Sequence, residues 1–226
     1  MKKNVLKLLV FLITTSTFAQ SIGSSNVGSR GRFFSDLINK EGKSVDYTGV
    51  DGSPYIVKEF FQGKINEYPN EVLFRYNAYR DVVEIKANSK TYELPRKEGN
   101  KVYNSSLKLA YTVLKNPKTE TIGYYKEELV LDNFTLLSKQ KVKFLKAKQA
   151  VSSYDIAKPA RFKRLKDVYY LRYKDGKFKE LPKKKKAFFK LMGDKKDQVK
   201  KFAKENGLKH KRKEDLFRIL RYYSSL

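Results

Sequence analysis

Val72-Leu73-Phe74-Arg75-Tyr76-Asn77, a short polar turn, and then Val83-Glu84-Ile85-Lys86 decide how this chain reads. Val72, Phe74 and Tyr76 alternate with Leu73, Arg75 and Asn77, and Val83 and Ile85 alternate with Glu84 and Lys86. Neighbouring side chains of a strand point to opposite faces, so the two runs predict a hairpin with one apolar and one wet face. Arg75, Arg80, Asp81 and Glu84 are placed for cross-strand charge pairing, each pair contributing a few tenths of a kcal/mol.

The same period of two recurs outward from this hairpin, over 55–181. Leu107, Leu109, Tyr111 and Val113 alternate with Lys108, Ala110 and Thr112, and Val142 and Phe144 alternate with Lys141 and Lys143. Turn chemistry separates the runs at Asn77 to Asp81, Ala87-Asn88-Ser89, Glu98-Gly99-Asn100, Asn116-Pro117 and Asp132-Asn133. The spacing is too short for βαβ crossovers, so the sheet is expected to be antiparallel. Residues 160–181 read as one more hairpin, with Val168 to Tyr173 as a strand, Asp175-Gly176 as the turn and Phe178 to Leu181 returning. Ser152 to Pro159 reads as a linker or long connection.

Over 182–226 the period becomes helical. Phe188, Phe189 and Met192 share a face that Gly193 ends, and Asp194 is a suitable N-cap for a helix carrying Val199, Phe202 and Ala203. Gly207 followed by Leu208 fits a left-handed C-terminal stop. Leu216, Ile219, Leu220 and Tyr223 mark a last helix, with Glu214 and Asp215 complementing its dipole. The expectation is an α+β protein: an antiparallel sheet domain of roughly eight to ten strands, meander, half-barrel or sandwich-like, then about three short helices.

The other end reads differently. Residues 20–54 are a Gly/Ser-rich lead-in with a short helical patch around Phe33-Phe34 and Leu37-Ile38. Residues 1–19 have basic Lys2, Lys3 and Lys7, a short apolar run from Val5 to Ile13, and Thr17 and Ala19 before the cleavage point. That is the pattern of a secretory signal peptide. The apolar run is too short to span a bilayer, no later one approaches 18 residues, and so no transmembrane span is expected. With no Cys to carry a lipid, the expected location is periplasmic, outer-membrane-associated or extracellular.

Composition narrows the chemistry. The 226 residues include no Cys and one His, His210. Disulfides, thiolate nucleophiles and Cys-based zinc sites are excluded, and His-based metal sites or triads are not expected. No phosphate-binding glycine loop or dinucleotide fingerprint is present, and no cofactor or metal is expected. Ser105-x-x-Lys108 and Ser138-x-x-Lys141 match a Ser-Lys spacing that so lysine-rich a chain produces by chance. Glu127 and Glu128 could pair for acid–base work, whereas Asp81 and Glu84 point to opposite faces of a strand.

Charge is the largest signal. Lys and Arg number 50 against 24 Asp and Glu, a net +26. Residues 160–226 alone hold 24 against 8. Lys183, Lys184, Lys185 and Lys186 sit at a predicted helix start, where cations cost roughly 0.3–1 kcal/mol each and an anion would relieve them. With Lys195, Lys196, Lys200 and Lys201 they are the candidate anion-binding residues, as counter-charges and not as a pocket. His210 is expected to be solvated within its basic run.

The expected partners are anionic lipid head groups, anionic glycans or an acidic envelope protein. Nucleic acid is not expected, because the aromatics fall on periods that need them as core and export removes the chain from cytoplasmic nucleic acid. The alternatives are a hydrolase or carbohydrate-active enzyme on the sheet, or a structural partner in an envelope complex.

Phe18-Ala19-Gln20 at the leader's end, Gly52-Ser53-Pro54-Tyr55, the run Phe74-Arg75-Tyr76-Asn77 with Asp81 and Glu84, the Tyr-rich hairpin and the lysine-rich helices form one combination. It resembles a group of secreted or cell-envelope proteins of Bacteroidota-type bacteria that carry no assigned function. The resemblance implies an envelope or extracellular location and a β-rich body, and it implies no activity.

Overall fold

A computed structural model describes residues 47–226, apart from 67, 69, 88, 117, 151–153 and 177. The signal peptide at 1–19 and most of the lead-in at 20–54 lie outside the described residues. Twelve strands appear in chain order: β1 (Phe61–Ile65), β2 (Val72–Asn77), β3 (Val82–Ala87), β4 (Lys90–Leu94), β5 (Lys101–Asn104), β6 (Leu109–Lys115), β7 (Ile122–Val130), β8 (Phe134–Lys139), β9 (Val142–Leu145), β10 (Arg161–Arg164), β11 (Val168–Tyr173) and β12 (Phe178–Glu180). Three α-helices follow, α1 (Lys185–Lys190), α2 (Lys196–Glu205) and α3 (Lys213–Ser224). The fold is α+β, as its sequence pattern predicts.

Ten strands form one sheet in the order β12-β11-β8-β7-β6-β5-β1-β2-β3-β4, each antiparallel to its neighbour. β1 is the pivot. Phe61 to Gly63 pair with β2, whereas Lys64 and Ile65 pair with β5. Gly63 sits at the changeover, where a Cβ would run into the Tyr103 carbonyl and the Phe74 ring. The sheet curls there, so that β2 and β3 face β6 to β8. The Tyr76 and Tyr111 rings pack tilted with centroids 4.7 Å apart, and the Tyr124 hydroxyl donates to the Leu94 carbonyl at 2.9 Å.

Asp81 locks the curl. It turns the β2–β3 corner at φ +55° and accepts from Lys139 Nζ at 2.7 Å, from the Tyr76 hydroxyl at 2.8 Å and from the Tyr124 N–H at 3.2 Å. Lys139 is buried, which pulls its pKa below the usual lysine value, and the Asp81 charge and hydrogen bonds offset this only in part. Gly123 leaves room for this pair, because a Cβ there would meet both Asp81 Oδ2 and Lys139 Nζ.

The outer face of β7, β8 and β11 carries Leu129, Phe134, Leu136 and Leu171 against Phe188, Phe189 and Met192 of α1 and its exit, Val199 and Ala203 of α2, and Leu216, Ile219 and Leu220 of α3. Apart from Ala203, each of these buried apolar side chains contributes about 1.5–3 kcal/mol. The alternate residues Leu137 and Tyr170 pack on the other face with Leu114 and Tyr125. The helices therefore share a core with the sheet. α2 ends in a Schellman motif, with the Leu208 N–H donating to the Ala203 carbonyl at 2.8 Å, that of Gly207 to Lys204 at 3.2 Å, and Gly207 at φ +62°.

Some expectations are corrected. Leu107 lies in a turn and is 56% exposed, because Lys108 adopts φ +49° and β6 begins only at Leu109. The alternation expected of β6 disappears because both its faces are covered: Ala110, Thr112 and Leu114 are buried as well as Tyr111 and Val113. The N-cap of α2 is Lys195 and not Asp194, since Gly193 at φ +59° opens a 3-10 turn, Gly193–Lys195, that leads into the helix without a side-chain cap. Residues 161–164, expected to be part of the 160–181 hairpin, do not belong to β11–β12. They form β10, which pairs with β9 in a separate two-stranded sheet.

Candidate functional site

A cleft of about 600 Å³ opens where the end of β10, the start of β11, the β12–α1 junction and the α2–α3 loop meet. Each wall has a local cause. Leu165 donates its N–H to the Lys141 carbonyl at 2.9 Å and fixes the β10–β11 loop. Leu181 continues the ladder with an N–H to the Tyr169 carbonyl at 2.8 Å, and Pro182, lacking a donor, stops it. The α2–α3 loop is held by Asp215, whose carboxylate accepts the Lys209 N–H at 3.0 Å and lies 3.6 Å from Arg212.

Leu181, Phe188 and Leu216 line the cleft with buried apolar surface, and Val168 and Tyr169 add half-buried wall. Arg164, Lys166, Lys183 and Lys211 bring four positive charges to it, against Asp167 alone. Arg164 lies 3.3 Å from Asp167 across three residues, a half-exposed pair worth little in water. Burial, with the charge of Glu128 behind it, pushes the Tyr169 phenol up to about 12, which keeps its proton available for donation. The arrangement suits a ligand with a negative group and an apolar body.

His210 is half-buried and not simply solvated. Its ring stacks on Phe188 with centroids 5.0 Å apart, and its Nε2 donates to the Lys183 carbonyl at 3.0 Å. It ties the α2–α3 loop to the start of α1 and so helps to shape the cleft.

Of the eight lysines singled out from sequence, Lys183 lines the cleft and the other seven do not. Lys184 is the N-cap of α1, and Lys185 and Lys186 form its first turn, all exposed, with no acidic residue and no side-chain cap there. A helix of under two turns sums only a small dipole, so this start offers an anion little beyond the lysines themselves. Lys195 and Lys196 are half-buried at the α2 entrance, Lys200 and Lys201 are exposed, and Lys201 lies 3.9 Å from Glu205. Arg164, Lys166 and Lys211 are not singled out because two distant segments, the β10–β11 loop and the α2–α3 loop, supply them. Only the charge density of 160–226 hinted at them.

A second cavity, about 420 Å³, brings Ser105, Lys108, Glu127 and Glu128 to one wall with Arg221. Its carboxylates are engaged. Glu127 accepts from Lys101 Nζ and from the Thr112 hydroxyl, both at 2.8 Å. Glu128, at the β-bulge of β7, accepts from the Ser138 hydroxyl at 2.7 Å and lies 2.9 Å from Lys213 Nζ. Burial pushes its carboxyl up. The Lys213 and Ser138 hydrogen bonds and the Lys126 and Lys213 charges outweigh that, and its pKa falls below the usual 4.5. Ser138 is therefore bound to Glu128 and not to Lys141. Among the described residues no group of His, Cys, Asp and Glu is arranged to hold a metal ion, and no helix is long and apolar enough to cross a membrane.

Compared with protein-family models, with curated proteins and with solved structures, the chain matches none of them.

Proposed function

We propose that this is an exported, non-enzymatic protein of the cell envelope that binds anionic ligands, lipid head groups or anionic glycans, through the cleft at the sheet–helix junction. The carrying observation is the convergence of Arg164, Lys166, Lys183 and Lys211 on an apolar floor that holds one carboxylate, Asp167. The leader-like pattern at 1–19 supports export. A hydrolase at the second cavity has weaker support, because one of the pairs holding Glu127 or Glu128 would have to open first.

Heparin retention tests the reading. The purified protein should bind a heparin column at low salt and elute as salt screens its charges beyond about 8 Å. Lys166→Gln, Lys183→Gln and Lys211→Gln together should lower the eluting salt concentration clearly. Unchanged elution of that triple variant would falsify the role of the cleft.

A further inference from the structure

β9 and β10 form the stem of a hairpin arm whose ladder is separate from the ten-stranded sheet. The register sets Lys143 directly opposite Lys163. Beyond the ends of both strands, Lys148 and Lys158 exchange N–H···O bonds at 2.9 Å as an isolated antiparallel bridge, a second facing lysine pair. Like charges set directly opposite destabilise a strand pair. Residues 141–166 hold nine Lys and Arg (Lys141, Lys143, Lys146, Lys148, Lys158, Arg161, Lys163, Arg164 and Lys166) against Asp155. Among the described residues, Arg164 is the one member of this set within ion-pair distance of a carboxylate. Beyond the Lys148–Lys158 pair, Tyr154 and Ile156 are 96% and 82% exposed, more than any other large apolar side chain described.

A soluble polyanion would account for the lysines and leave the bare Tyr and Ile unexplained. A lipid interface accounts for both. Lysines meet phosphates, an amphipathic Tyr ring suits the headgroup level, and Ile gains by leaving water. We propose that this arm docks the protein on an anionic lipid bilayer. Tyr154 and Ile156 enter the headgroup layer, and Lys143, Lys148, Lys158 and Lys163 face lipid phosphates. Arg164 and Lys166 also border the cleft, but the six residues assigned here to lipid do not line it, so the proposal does not depend on the cleft reading.

The chain has no tryptophan, so Tyr154→Trp places a single reporter near the tip. Vesicles of equimolar phosphatidylcholine and phosphatidylglycerol should shift its emission to the blue, and pure phosphatidylcholine vesicles should not. Lys148→Gln with Lys158→Gln should weaken binding to the mixed vesicles about thirty-fold, at roughly five-fold per lysine near an anionic surface. Ile156→Ser should weaken it about tenfold. These side chains are exposed, so the variants should melt like the parent protein.

Emission that stays unshifted at excess vesicle overturns the proposal, as do arm variants that bind the vesicles like the parent. Arm-dependent retention on heparin or duplex DNA without vesicle binding also overturns it, and assigns the arm to a soluble polyanion. The cleft triple variant keeps the two readings apart. It should elute from heparin at lower salt while leaving the blue shift of Tyr154→Trp in place.

Discussion

The β2–β3 hairpin and the β9–β10 arm are both antiparallel pairs, and they handle charge in opposite ways. In the first, Arg75 stands directly opposite Glu84, 2.8 Å from Nε to Oε2, and Glu84 also accepts from Asn77 at 3.0 Å and from Tyr55 at 3.1 Å. The Arg75 guanidinium lies over the Tyr55 ring at 3.8 Å. In the arm, lysine faces lysine twice. The first hairpin is built to satisfy itself within a core. The second keeps its charge in water, with no carboxylate of the described residues within ion-pair distance of its four facing lysines.

Making the first hairpin resemble the second should have the largest effect. Glu84→Lys would put a second cation beside Arg75 in a buried site, and at least about 4 kcal/mol of stability should be lost in urea denaturation. Arg75→Met is milder. It leaves the Glu84 carboxylate with Asn77 and Tyr55 as donors, and a loss of about 2–3 kcal/mol is expected in the same measurement.

Lys213→Gln probes a third kind of pairing, between α3 and the β7 bulge. Because the folded pKa of Glu128 is depressed, its contribution is present above 4.5 and is lost as pH falls through the lower folded value. The variant should therefore cost about 1 kcal/mol at neutral pH, discounted for the exposure of Lys213. Thermal melts of the two proteins should converge as pH falls below the carboxylate range. The smallest effect should come from making the arm resemble the body. Lys163→Glu should raise stability by about 0.5 kcal/mol by replacing a like-charge pair, while weakening vesicle binding. A loss of stability there would show that the Lys143–Lys163 pair is not repulsive.

Much of the sheet was legible because its strands obey a local rule. Val72, Phe74 and Tyr76 are all buried and Leu73 is 42% exposed, as alternation predicts, but Asn77 and Glu84 on the expected wet face are buried as well. The rule fails where a second layer covers the other face, as at Ala110 and Thr112, because alternation reports one buried face and β6 has two. Charge pairing was legible only between neighbours. Arg75 does meet Glu84, but Arg80 pairs with Glu93, and Asp81 meets Lys139, 58 residues away. The candidate cleft was less legible still. Charge density pointed at 160–226, yet Arg164, Lys183 and Lys211 become neighbours only when α1 and the α2–α3 loop pack beside β11.

The amino-acid sequence by itself determined the antiparallel strands, the three short helices, the Gly207 stop and the basic excess. Each depends on side-chain spacing or on one residue's backbone freedom, and both are local. Tertiary structure decided the partner switch of β1 at Gly63, the burial of Lys139 on Asp81 and the shared core of sheet and helices. It also decided which cations border a cleft and which face one another across the arm. Those outcomes depend on which distant segments come to lie within a few ångströms, and no spacing along a chain encodes that distance.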